Sequence, residues 1–70
     1  MKLKELYSIL RSRTGDIQFA IVYSLTTNKD LEYGCSVDYA IDHYGEYEVA
    51  RIKSYYDAAN RMDYLVIEII

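Results

Sequence analysis

His43 is the single histidine in a chain of 70 residues, and Asp42 stands immediately before it. A histidine titrates near neutral pH and can act as a general base when an acid orients it. Adjacent residues on a helix point about 100° apart, however, so Asp42-His43 is not a ready-made dyad. The expectation is an exposed histidine near a helix end. Asp38 and Asp42 are spaced i, i+4 and, with Glu46 or Glu48, would offer carboxylates to a divalent cation. The glycine-shaped loop that normally bends such carboxylates around a hard cation is missing, so a solvated acidic face is expected and no metal site is assigned.

Cys35 falls in an apolar alternating run without the electropositive, helix-start setting that activates a thiol, and reads as a buried core residue. Gly15, Gly34 and Gly45 are scattered, so there is no glycine-rich phosphate loop. No serine, histidine and acid fall into a recognised catalytic arrangement. A non-enzymatic protein without a cofactor is expected.

Tyrosine supplies the other chemistry. Nine tyrosines occur, seven of them between Tyr33 and Tyr64, with no tryptophan. A phenol offers a rigid apolar ring and a polar tip, which suits a half-buried site or a contact surface. The acidic residues are concentrated in the same half: residues 1–35 carry a net +1, residues 36–70 a net −4. Tyr7, Tyr23 and Tyr33 fall on faces read as core. The candidate partner-binding residues are therefore Tyr39, Asp42, Tyr44, Tyr47, Tyr55 and Tyr56. Complementary charge would orient such a surface toward a basic partner. Lys2, Lys4, Arg11, Arg13, Arg51 and Lys53 give the alternative, a nucleic-acid-binding stripe repeated in an oligomer, against which the acidic isoelectric point, about 4.9, weighs. A further alternative is an oligomer that sequesters a small molecule, with tyrosines stacking on bases at a subunit boundary.

The elements that must position these residues follow from periodicity. Leu3, Leu6, Tyr7 and Leu10 share one helical face, predicting a helix from about Lys2 to Ser12 that stops at Thr14-Gly15-Asp16. Ile17, Phe19, Ile21, Tyr23 and Leu25 alternate with Gln18, Ala20, Val22 and Ser24, which is a strand. Thr26 to Asp30 is a turn, and Leu31, Tyr33, Cys35 and Val37 form the returning strand, with Gly34 as a candidate bulge. Ser36 or Asp38 caps a short helix ending at Gly45. Glu46 to Tyr56 is a strand that needs a bulge, because Val49 and Ile52 are three apart and cannot otherwise share a face. A loop from Asp57 leads to Tyr64–Ile70, a strand so apolar on both faces that it should be central or covered.

The order is α-β-β-α-β-β in one α+β domain spanning residues 1–70, a four-stranded mostly antiparallel sheet packed by helices on one face. The N-terminus has no apolar signal-like run, and the longest apolar stretch is too short to span a bilayer, so the expected location is cytoplasmic. A single cysteine gives no internal disulfide and no Cys/His cluster offers zinc. A chain this small would gain most from self-association, and a homo-oligomer is expected.

The opening "MKLKEL" helix, the hairpin that begins "DIQFAIVY", the "EVARI" strand and the terminal "LVIEI" strand together resemble small accessory proteins of phages and prophages, including anti-CRISPR proteins. The resemblance implies a protein that acts in a bacterial host cell by binding a host protein such as a defence nuclease. It carries no motif that assigns a role to any individual residue.

Overall fold

The last strand organises the sheet. In a computed structural model, which describes residues 1–6, 8 and 19–70, Tyr64 through Ile69 are six consecutive buried residues. Such a run has no polar side to give to water and must be an interior strand. The strands are β1 (Phe19–Ser24), β2 (Lys29–Ser36), β3 (Val49–Asp57) and β4 (Met62–Ile69), with one α-helix, α1 (Val37–Tyr44), between β2 and β3. Their spatial order is β2-β1-β4-β3, so β4 is interior, beside β1.

Both hairpins are antiparallel, but the central pair, β1 with β4, is parallel. The sheet is thus mixed: two of its three pairings are antiparallel, in keeping with the mostly antiparallel sheet expected, and the central pairing is parallel. The connection explains the parallel pair. β2 ends at Ser36 beside Phe19, and β3 starts at Val49 beside Ile69, at the far end of the sheet and on its opposite edge. The chain must cross three strand spacings, about 14 Å, and advance about 17 Å along the strands, roughly 22 Å on the diagonal. An eight-residue helix spans about 12 Å and the four residues after it reach about 13 Å more. α1 therefore crosses one face of the sheet and returns the chain to start β3 parallel to β2, so the two hairpin turns lie at opposite ends of the sheet and β4 comes to run parallel to β1.

Leu3, Ala20, Val22, Val37, Ala40, Leu65, Ile67 and Ile69 form the core between α1 and the sheet, with Cys35, Ile41, Val49 and Ile52 packed against it. Val49 and Ile52 share that face because the β3–β4 register slips between Val49 and Arg51, which is the expected bulge. Two further slips fall in β2, at Gly34 and at Leu31. Gly34 has a φ of +87°, a conformation that costs a residue with a Cβ. The bulge at Gly34 breaks the Leu31-Tyr33-Cys35-Val37 alternation, since Cys35 pairs with Ala20 on the helix side while Tyr33 pairs with Ile21 on the other. The reading of Tyr33 as a core residue is thereby corrected: its ring lies on the face away from α1 and is 53% exposed.

Leu3–Leu6 is a 3-10 turn rather than the start of an α-helix. Ser8 is helical, whereas Tyr7 and residues 9–18, with the predicted helix stop and the start of the first strand, lie outside the described residues. The turn is tied to the segment after α1: the Leu3 and Lys4 amides donate to the Tyr47 and Gly45 carbonyls at 3.0 and 2.9 Å. Lys2 bridges Glu48 as an antiparallel pair, which covers the start of the β3 edge. Ser36 is the helix cap, its hydroxyl accepting from the Tyr39 amide at 3.0 Å.

Candidate protein-binding surfaces

The six candidate contact residues are divided between the two sides of the sheet. Tyr39, Asp42, Tyr44 and Tyr47 belong to α1 and the residues just after it. Tyr55 projects from the opposite face, and Tyr56, by alternation, from the α1 side of the β3 edge, where it is exposed. The single tyrosine-rich surface expected from residues 39–64 is not formed.

On the α1 side the tyrosines are strung along one carboxylate. Glu32 occupies the position opposite Val22, so its side chain points toward α1. Its Oε1 accepts from the Tyr44 hydroxyl at 3.0 Å and from the Tyr39 hydroxyl at 3.4 Å. Burial, followed by the bond to Glu32 and its negative charge, pushes the Tyr44 phenol up to about 12. The charge of Glu32 is the leading cause of a rise at Tyr39 as well. Tyr47 continues the string, its ring tilted against that of Tyr44 at 5.9 Å. His43 stacks on Tyr39 at 3.8 Å, and its Nδ1 lies 3.8 Å from Asp42 and 3.1 Å from the Tyr39 carbonyl. The Asp42 side chain is 84% exposed.

Cys35 lies half-buried behind this string, its Sγ 3.7 Å from the Ala20 carbonyl, and burial raises its thiol. Among the described residues no group of three or more metal-ligating side chains converges. Glu46 is held by Lys2 and Lys4, and Glu48 by the Met1 ammonium.

The other side of the sheet carries the residues that sequence reading assigned to the core. Ile21, Tyr64 and Val66 are buried there with Met62 against them, although no element of the described chain lies over them. Aromatic side chains shield them instead. Tyr64 lies between Tyr33, 5.1 Å away and tilted, and Tyr55, 6.4 Å away and stacked. Tyr33 reaches on to the far edge, where its hydroxyl donates to Asp57 Oδ2 at 3.4 Å. Asp57 in turn ties the β3–β4 turn, accepting from the Asn60 side chain and the Ala59 and Asn60 amides, so its carboxyl titrates below the usual range. Phe19, Leu25 and Tyr55 complete an exposed apolar border.

One end of this face is charged. The Glu68 carboxylate is gripped by Arg51 and approached by Lys53 at 3.5 Å. A trough of about 510 Å³ runs between them, Tyr23, Asp30 and Tyr55. Arg51 and Lys53 thus sit on Glu68, and Lys2 and Lys4 on Glu46; Arg11 and Arg13 lie outside the described residues. Sequence reading missed Phe19, Tyr33 and Glu68 as surface-forming residues. Gly34 was the available signal, because a bulge there turns Tyr33 away from Cys35.

No protein-family model matches the chain, and comparisons with curated proteins and with solved structures return no match. No helix among the described residues is long and apolar enough to cross a membrane.

Proposed function

We propose that the chain is a non-catalytic accessory protein of the phage or mobile-element kind that acts in its bacterial host by binding a basic surface of a host protein, a defence nuclease being the first candidate. One observation carries the reading: Tyr39, Tyr44 and Tyr47 are strung along Glu32, with Asp42 exposed at their margin. Tyrosine rings beside fixed carboxylates suit arginine side chains, which stack on the rings while their guanidinium groups pair with the acids. The phenols are also held in place by Glu32 before binding, so little side-chain entropy remains to be lost.

The test is phage plating on a host with an active CRISPR nuclease, with and without expression of the protein. Expression is expected to restore plaques, and Tyr39→Ala, Tyr47→Ala or Asp42→Lys to abolish the effect. If these residues are the centre of the contact, each truncation costs more than about 2 kcal/mol of binding to the purified nuclease. Unchanged plating with the wild-type protein, together with no binding to the nuclease, would reject the reading.

A further inference from the structure

We infer that a second copy of this chain packs on the side of the sheet away from α1, which no described element covers, in a face-to-face dimer whose two-fold axis runs along the strands between β1 and β4. A sheet covered on one side still has an apolar second side to bury, and here that side is fringed by exposed Phe19, Tyr33, Tyr55 and Leu25. What identifies the occupant is the charge at its two edges.

The register aligns Asp30, Tyr23, Glu68 and Arg51 in one row across the sheet, from the β2 edge to the β3 edge. At the β3 edge Arg51 and Lys53 share the one carboxylate of Glu68, which leaves a positive charge over. At the β2 edge Asp30 has no ion-pair partner among the described residues. Rotation about an axis parallel to the strands keeps each row at its level and exchanges the edges. Asp30 of one copy then faces Arg51 and Lys53 of the other, twice per dimer, and the β1 row meets the β4 row of the other copy. An axis across the strands would instead set Asp30 against the Tyr33–Ser36 end of β2, which carries no cation. Of the two arrangements, the first is the one that gives Asp30 a cation.

The area is that of a small interface. Four strands about 4.8 Å apart and averaging about eight residues present roughly 500 Å² in projection per copy, or roughly 1,000 Å² in total, before the relief of the projecting rings is counted. A standard interface takes about 800 Å² per partner, close to a sixth of the 4663 Å² surface of this chain. The contact is independent of the host-binding surface, because α1 lies on the other side of the sheet and remains outward on both copies.

Sedimentation of the full chain from about 1 to 500 µM at low salt should show a reversible rise from the 8.2 kDa monomer to twice that mass. Asp30→Lys and Lys53→Glu should each weaken the dimer about tenfold, and the double exchange should recover it to within about threefold of wild type. Far-UV circular dichroism identifies any variant that has failed to fold. Raising the salt concentration for the unmodified protein gives a second reading, with weaker association expected. A monomer across the whole range would overturn the proposal. Single exchanges without effect, or a double exchange that does not recover, would overturn this arrangement of the copies. Tyr39→Ala should leave the mass unchanged while abolishing host binding, which separates failure of this inference from failure of the proposed function.

Discussion

Arg51 holds Glu68 by two nitrogens: Nε donates to Oε1 at 3.0 Å, and Nη2 to Oε1 at 2.7 Å and to Oε2 at 3.2 Å. The glutamate side chain is only 6% exposed, so this carboxylate is fixed into the sheet face rather than waving above it. The Arg51 bond and the nearby cations hold its carboxyl below the usual range. Lys4 and Lys2 do the same at Glu46, and the Asn60 side chain, foremost, at Asp57.

All three carboxyls have lower pKa values folded than unfolded, so their contribution to stability is present above the unfolded carboxylate range and is lost as pH falls through the folded values. Urea midpoints should hold from pH 7 to about 5 and decline below about 4.5, where unfolded carboxyls begin to protonate. Glu68→Gln should lower the midpoint at pH 7, because it leaves Arg51 and Lys53 facing each other, and should flatten the acid limb. An acid limb identical to wild type would exclude Glu68 from the linkage.

The alkaline side depends on Tyr44. Its phenol is raised to about 12, above the ordinary value near 10, so the neutral form is favoured by folding. That contribution is complete below pH 10 and disappears as pH rises through about 12. Absorbance titration at 295 nm should show a late phenol that Tyr44→Phe removes.

Gly34→Ala tests the β2 bulge. An added Cβ would meet only Tyr64 Cε1 at 3.8 Å, an ordinary contact, so space is not the obstacle. The φ of +87° is, and about 1–2 kcal/mol should be lost in urea denaturation. Gly45→Ala fails for the opposite reason: its φ of −61° suits any residue, but a Cβ there would lie 2.5 Å from the Ile41 carbonyl oxygen.

Ser36→Ala removes the hydroxyl that caps α1 and should cost about 1 kcal/mol, whereas Ser36→Asp should retain most of it. Because α1 also carries Tyr39 and Tyr44, fraying of its first turn should weaken host binding along with thermal stability.

Ile67→Ala should be the most damaging of these changes. Ile67 is fully buried in the core under α1, and such truncations cost about 2–5 kcal/mol. A domain of this length has roughly 4–10 kcal/mol in all, so the variant should lose a large share of its margin and melt at a markedly lower temperature by circular dichroism.

Much of the fold could be read from period alone. The alternation of Phe19 to Ser24, the turn before β2, the bulge forced by Val49 and Ile52, the Ser36 cap and the interior position of β4 are each local consequences of side-chain type and spacing. The candidate site was only partly legible. Tyr39, Asp42, Tyr44 and Tyr47 are near one another because one helix and its exit carry them. Glu32 gave no sign of its role, since it acts from another strand. Tyr55 left the group because strand alternation sends it to the other face.

The sequence by itself determined the four strands, the helix between the hairpins and that β4 must be enclosed, because backbone propensity and burial act over a few residues; Leu3–Leu6, read as helix, is a 3-10 turn held by contacts with the segment after α1. Which face would be covered was decided only in three dimensions. Both faces of β1 are apolar, and the larger residues, Phe19, Ile21 and Tyr23, would have been the natural core by size. The crossing from β2 to β3 passes over one side of the sheet only, and it passes over Ala20 and Val22. Among the described residues α1 covers that face alone, and the bulkier face carries its charges at opposite edges.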